Sequence, residues 1–102
     1  PTLIFDEVDV GIGGRVAEVV GKLLKQLGER YQVLCVTHLP QVASCGDQHW
    51  RVSKSSNDGR TVSRIAPLDA EGRVLEIARM LGGEDITATT RQHASEMLSN
   101  NA

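Results

Sequence analysis

The amino-acid sequence predicts an α/β fold in which a parallel βαβ unit is followed by an antiparallel hairpin and C-terminal helices. Two short apolar runs flank an amphipathic stretch, an Asp-Gly pair separates two strand-like runs, and two more helical stretches follow. The 102 residues are 40% hydrophobic and 24% charged, with a formal net charge of -2. These values fit a globular chain and exclude a disordered or strongly basic one.

The βαβ unit is predicted from residues 2–37. Thr2–Phe5 is a short apolar run that we expect to form a strand buried on both faces. Apolar residues then recur at spacings of three and four, which is typical of one helical face, and Gly28 marks the end of that helix. Gln32–Thr37 is the second strand, and a helical connection predicts that the two strands are parallel. The apolar helical face comprises Val16, Val19, Val20, Leu23, Leu24 and Leu27.

The second half of the sequence predicts smaller elements. Asp58-Gly59 between two strand-like runs is typical of a tight hairpin, although the apolar alternation slips near Ile65. We expect residues 99–102 to fray. The other predicted elements are a short helix at 39–43 with Pro40 in its first turn, a helix at 74–81 closed by Gly82-Gly83, and a last helix capped by Thr87.

Polar residues follow both predicted parallel strands. Asp6 and Glu7 come directly after the first strand, and His38 follows the second. Because the carboxyl ends of parallel strands meet at one edge of a sheet, we expect an acidic pair and a histidine to converge there. An acidic pair alone is more typical of a solvated loop, but the nearby Asp9 and the aligned His38 favour a functional site.

This combination of residue types suits nucleotide chemistry. Mg²⁺ prefers hard oxygen ligands and keeps several waters, so one carboxylate is enough to hold it beside substrate phosphates. Phosphoryl transfer further needs a group that orients or deprotonates the attacking water, and charge neutralisation at the phosphates. The sequence therefore predicts a phosphate-handling edge at Asp6, Glu7 and His38.

Three motifs in order resemble those of ABC-type ATPases. Leu3-Ile4-Phe5-Asp6-Glu7 looks like a Walker B motif with its catalytic glutamate, and Val8-Asp9-Val10-Gly11-Ile12 looks like the D-loop that follows it. Val36-Thr37-His38 resembles the switch histidine. The sequence around these motifs and the tail from Ile77 to Leu98 are similar to the C-terminal part of SMC-like ATPases of bacterial recombinational double-strand-break repair. The resemblance covers nearly the whole chain.

The resemblance implies a partial P-loop ATPase head of the ABC/SMC type that binds ATP and Mg²⁺. Asp6 would hold Mg²⁺ through water, Glu7 would act on the hydrolytic water, and His38 would sense the terminal phosphate. Asp9 would reach a second copy of the head across a homodimer that sandwiches ATP. Gln41 has no catalytic role in this interpretation, although it is placed to support the His38 loop. Further implied partners are an upstream N-terminal head lobe and, in the full-length protein, DNA.

Some parts of such a head are missing from the sequence. No G-x-x-x-x-G-K-[ST] phosphate loop and no signature motif precede the Walker B-like stretch, and the chain enters a strand directly after Pro1. We therefore expect residues 1–102 to be the C-terminal lobe of a larger head, inactive in isolation. The longest apolar run, Val33–Val36, is too short to cross a bilayer, and two cysteines suggest no disulfide scaffold. The expected location is the cytoplasm, at the nucleoid during repair.

Other interpretations are weaker but remain open. Cys35, His38, Cys45 and His49 have spacings that suggest zinc, although no Cys-x-x-Cys pair is present. Basic residues of the hairpin suggest a DNA-contacting patch, although a solvated face is the more common role of such residues. A non-catalytic dimerisation or docking module is the alternative to an ATPase. The basic residues are Arg51, Lys54, Arg60 and Arg64.

Overall fold

The computed structural model describes residues 1–7 and 10–102 and confirms the α/β architecture. Two separate two-stranded sheets are present in this described part, together with four helices. The helices among these residues are all too short or too polar to cross a membrane. In chain order the elements are β1 (Thr2–Asp6), α1 (Gly14–Leu27), β2 (Gln32–Val36), α2 (Pro40–Ala43), β3 (Trp50–Asn57), β4 (Arg60–Pro67), α3 (Ala70–Gly82) and α4 (Ala88–Asn100).

Strands β1 and β2 pair in parallel, as the sequence predicts. The register runs from Thr2 opposite Gln32 to Asp6 opposite Val36. Helix α1 makes the connection, and the Gly28 amide closes it by donating to the Leu24 carbonyl over 3.0 Å. The helix therefore stops where the glycine was expected to stop it.

The expectation that β1 is buried on both faces is wrong for this chain. Ile4 lies opposite Leu34, and these side chains are 71% and 49% exposed, while the alternate positions Leu3 and Phe5 are partly buried. Side chains of a strand alternate between the two faces of a sheet, so an exposed row at alternate positions marks one open face. The continuous apolar run of β1 predicts that both faces of the strand are buried. In the described residues, other parts of the chain bury only one of them.

The buried side of α1 also differs from the predicted apolar face. Ala17 and Gly21 are the buried residues of this helix, whereas Val16, Val19 and Leu23 are each more than half exposed. The reason is steric, because the two small residues let α2 approach α1 closely. The predicted apolar face is therefore only partly covered, because Val20, Leu24 and Leu27 are half-buried while Val16, Val19 and Leu23 are exposed.

The hairpin forms around the predicted turn. Asp58 and Gly59 both have positive φ angles, 51° and 75°, which is the two-residue geometry that suits the twist of paired strands. Pairing is continuous, with Val52 opposite Ile65 and Ser55 opposite Val62. Val62 and Ile65 consequently lie on opposite faces of the hairpin, which explains why the apolar alternation slips in the sequence.

Helices α3 and α4 form the hydrophobic core. Ile77, Ala78 and Ala94 are each 0% exposed and pack together. The Thr87 hydroxyl caps α4 by accepting from the Thr90 amide over 3.1 Å, as predicted. The prediction that residues 99–102 fray is wrong for residues 99 and 100, because α4 extends to Asn100. Asn101 then donates from Nδ2 to the Ser44 hydroxyl over 2.9 Å, which ties the C-terminal end to the residue after α2.

Candidate functional site

The predicted convergence of Asp6, Glu7 and His38 follows from the strand register. Asp6 ends β1 directly opposite Val36, the last residue of β2, and His38 comes two residues later. Glu7 follows Asp6 in the chain, and all three side chains are exposed. The acidic pair and the histidine therefore share the carboxyl edge of the parallel pair. Asp9, the fourth predicted site residue, lies outside the described residues.

Glu7 adopts an unusual backbone conformation. Its φ angle is +59°, in the left-handed region that residues other than glycine rarely occupy. Such a conformation costs on the order of 1–3 kcal/mol and concentrates at functional positions. Its carbonyl accepts a hydrogen bond from the Val10 amide over 3.3 Å. The chain thus leaves the extended conformation at Glu7, directly after Asp6.

The segment that carries His38 is fixed on its C-terminal side. The Thr37 hydroxyl accepts a hydrogen bond from the Leu39 amide over 3.1 Å, across His38 itself. Pro40 then opens α2 and is buried. His38 is therefore an exposed side chain on a short backbone segment between two constrained residues, and the position of α2 determines where it lies.

Helix α2 is held against α1 by backbone contact. A Cβ placed on Gly21 would lie 2.8 Å from the Cys45 sulfur and 2.9 Å from the Gln41 carbonyl oxygen. The Cys45 thiol itself donates to that carbonyl over 3.4 Å. Burial raises the pKa of Cys45, which favours the neutral thiol. The sequence offered one signal for this contact, since a glycine inside a helix costs about 1 kcal/mol relative to alanine.

Arg73 of α3 holds the other side of α2. Its guanidinium donates to the carbonyl oxygens of Ala43, Ser44 and Gly46, the first two over 3.1 and 3.4 Å. Burial lowers the pKa of Arg73, and burial together with the Arg73 charge lowers the pKa of His49. These carbonyls lie at and just beyond the end of α2, where a helix leaves acceptors without donors of its own, so an arginine that bonds all three fixes that end. Sequence reasoning missed this residue, whose partners lie almost 30 positions away.

Gln41 connects α2 to the start of α1. Its side-chain nitrogen lies 3.1 Å from where a Cβ on Gly14 would be placed. Gly14 begins α1, at the end of the loop that follows Asp6 and Glu7. The Gln41 side chain therefore lies close to the backbone at the start of α1.

The zinc interpretation has no geometric support in the described residues. No group of three or more His, Cys, Asp and Glu side chains is arranged there to hold a metal ion. Cys45 is 2% exposed and packs against α1. Its thiol donates a hydrogen bond to the Gln41 carbonyl of α2. Cys45 is thus a buried packing residue between α1 and α2.

Comparisons with known proteins give a consistent picture, although no protein-family model matches the chain. The DNA repair protein RecN of Vibrio cholerae is 57% identical over 98 residues, which cover 96% of this chain and 18% of that protein. RecN of Bacillus subtilis is 45% identical over 97 residues, covering 95% of this chain and 17% of that protein. The chain thus spans less than one fifth of the length of these relatives.

A solved structure supports the fold independently. It was solved in a study of the structural biochemistry of ATP-driven dimerization and DNA stimulated activation of SMC ATPases. It matches this chain with a TM-score of 0.58 at 24% identity. The match covers 71% of this chain and 42% of that chain. Over 96% of its length the chain is therefore a relative of one segment of the DNA repair protein RecN, and it shares its fold with an SMC ATPase.

Proposed function

We propose that residues 1–102 form the C-terminal lobe of an ABC/SMC-type ATPase head, which binds and hydrolyses ATP in recombinational DNA double-strand-break repair. The observation that carries this proposal is the edge at which Asp6, Glu7 and His38 meet. Its support is twofold, because these residues follow two paired parallel strands and the chain is related to RecN. The motifs would then be Walker B, D-loop and switch histidine.

Each residue of the edge has a separate task in this proposal. Glu7 orients and polarises the attacking water, for which its carboxylate is a suitable general base. His38 donates a hydrogen bond to the terminal phosphate and so stabilises charge that develops during transfer. Asp9, which belongs to the D-loop-like stretch, would reach a second head across the dimer interface.

Mg²⁺ fits the donor set of this edge. Asp6 offers an exposed carboxylate at the end of β1, and a cation that retains most of its waters needs few protein ligands. When bound, Mg²⁺ would neutralise charge on the ATP phosphates. Asp6 would hold it through its water shell.

Most ATP contacts would come from other parts of the polypeptide. Neither the phosphate loop nor the signature motif occurs in these 102 residues, and the phosphate loop with its lysine supplies much of the binding energy for nucleotides. We therefore expect the isolated chain neither to bind ATP tightly nor to hydrolyse it. An N-terminal head lobe would complete the site and cover the open face of the β1–β2 sheet, where Ile4 and Leu34 are exposed. ATP would bring two heads together, with DNA as the further partner, at the nucleoid in the cytoplasm.

The test is a Glu7→Gln substitution in a complete RecN protein that carries this segment. ATP hydrolysis should fall by about 100-fold or more, since a positioned general base contributes at least that factor, while ATP binding persists. Glu29→Gln, at an exposed position just after α1, is the matched control and should keep full turnover. Hydrolysis of Glu7→Gln at the control rate would overturn the proposal and favour the non-catalytic docking module.

A further inference from the structure

The hairpin register places three arginines on one face. Residues directly opposite each other in an antiparallel pair share a face, and successive residues of a strand alternate. Arg60 lies opposite Asn57, Arg64 opposite Ser53, and Arg51 opposite Ala66. These pairs are separated by even numbers of residues along each strand, so all three arginines belong to the same face, which we call the arginine face.

The two faces of the hairpin differ in composition. Besides its arginines, the arginine face carries Ser53, Ser55 and Asn57 on β3 and Val62 and Ala66 on β4, and neither strand contains an acidic residue. The opposite face carries Trp50, Val52 and Ile65, each more than half exposed, with Lys54 as its basic residue. The two faces therefore suit different partners, and only the arginine face suits an anion.

The base of the arginine face contacts α3. Glu76 is buried, with its side chain 8% exposed, and its two neighbours are both arginines. Arg51 approaches it from the hairpin over 3.5 Å, and Arg79 donates from Nε to both carboxylate oxygens over 3.1 Å. One carboxylate thus faces two guanidinium groups, which are themselves 52% and 44% exposed. Glu84 also acts on Arg79, so Arg51 and Arg79 are balanced by two carboxylates and add no net positive charge there.

The arginines are spaced along the ribbon rather than clustered. Arg60 and Arg64 are four residues apart on β4, which corresponds to about 13 Å, and each eight-residue strand extends about 26 Å. A long polyanion can contact all of these positions at once, whereas a single small anion can reach only one. The chain as a whole has a net charge of -2, so this positive surface is local and does not reflect a generally basic protein.

We propose that the arginine face binds the phosphate backbone of double-stranded DNA, through Arg60 and Arg64 on the hairpin. This inference rests on the proposed function, in which DNA is the partner of the complete protein. Guanidinium groups and serine hydroxyls donate hydrogen bonds to phosphate oxygens. These contacts carry no information about base sequence, because the phosphates are the same at every base pair. The apolar face stays free for protein contacts on the other side of the ribbon.

The experiment measures binding of a fluorescently labelled DNA duplex to the complete RecN protein carrying this segment, by anisotropy over a salt series. Each lost phosphate contact reduces the slope of log affinity against log salt by about 0.9, so Arg60→Gln with Arg64→Gln should reduce it by about 1.8. Affinity at low salt should fall at least tenfold. The charge-preserving pair Arg60→Lys with Arg64→Lys should keep the slope of the unchanged protein. Lys54→Gln, on the opposite face of the same hairpin, is the control that should also keep it.

Three results would overturn the inference. One is a slope of the double glutamine variant equal to that of the unchanged protein, with and without ATP. Another is an equal effect of Lys54→Gln, which would mean that charge anywhere on the hairpin acts alike. A changed oligomeric state of the glutamine variant at unchanged DNA affinity would assign the face to protein contact and also count against it. ATP turnover without DNA should stay unchanged in these variants, so a failure here is separate from a failure of the Glu7→Gln test.

Discussion

Replacing Gly21 with alanine tests whether backbone contact between α1 and α2 fixes the segment that carries His38. A Cβ at this position would lie 2.8 Å from the Cys45 sulfur, 2.9 Å from the Gln41 carbonyl oxygen and 3.2 Å from the Val42 Cα. The last two atoms belong to the backbone, so no side-chain rotation relieves the clash. Alanine therefore requires α2 to move away from α1.

The size of the effect follows from two opposing contributions. Overpacking in a well-packed contact costs about 1–3 kcal/mol, and here backbone must move, which favours the upper half of that range. Alanine regains about 1 kcal/mol of helix propensity relative to glycine. We expect a net loss of about 1–2 kcal/mol in the free energy that keeps the two helices together.

Alkylation of the Cys45 thiol reports this loss directly. Cys45 is 2% exposed, so a thiol reagent reaches it only when α1 and α2 separate. A loss of about 1–2 kcal/mol should accelerate alkylation of Cys45 by about 5–30-fold in a complete RecN protein, followed by mass spectrometry of the peptide that contains it.

Gly14→Ala is the matched control in the same helix. Its Cβ would meet the terminal amide group of Gln41, with the nitrogen 3.1 Å away, and a side-chain terminus can move aside. Cys45 protection should then change by less than about 0.5 kcal/mol. Equal alkylation rates in Gly21→Ala and the unchanged protein would refute the reasoning, since α2 would then tolerate the added methyl group without separating.

Two further predictions concern α3. Asp69→Ala removes the acceptor of the Gly72 amide, a 2.7 Å hydrogen bond that caps the helix, and should cost about 1 kcal/mol, measured as faster amide hydrogen exchange in the first turn of α3. A hydrogen bond from Arg79 lowers the pKa of Glu76 below its ordinary value of 4.5. The ionised carboxylate therefore stabilises the fold when the pH is above that ordinary value, and this stability is lost as the pH falls through the lower pKa of the folded state. Glu76→Gln should flatten the loss of stability in acid, measured by urea unfolding at a series of pH values, and an unchanged acid profile would contradict it.

The elements of the fold were predictable because their signals are local. The Asp58-Gly59 turn, the Thr87 cap and the Gly28 stop each act within a few residues of their position in the sequence. The parallel pairing of β1 with β2 follows from the helical connection between them, which leaves little choice of topology. Contacts between distant residues were not predictable in this way. Gly21 packs on Cys45 and Arg73 reaches the end of α2, and neither contact has a periodic signature.

The candidate site was predictable only in its topology. Strand order is enough to place Asp6 and His38 at one edge, whereas no local signal in the sequence indicates the left-handed conformation of Glu7, at φ +59°. The grouping of the arginines was hidden for a related reason. A single residue of register decides which face a strand residue occupies, and the slipped alternation around Ile65 left that register undetermined.

The two halves of the candidate site differ in how they are supported. His38 precedes α2, which α1 holds through Gly21 and α3 holds through Arg73, so this half is fixed by contacts within the chain. Asp6 and Glu7 end a strand of a two-stranded sheet with one exposed apolar face, and such a pair gains stability mainly from further strands or from packing on that face. A segment of a complete RecN protein that covers Ile4 and Leu34 would thus complete the acidic half while leaving the His38 segment where it is. Substitutions on the open face should therefore alter the position of Asp6 and Glu7, and substitutions between α1 and α2 that of His38, which makes the two effects separable.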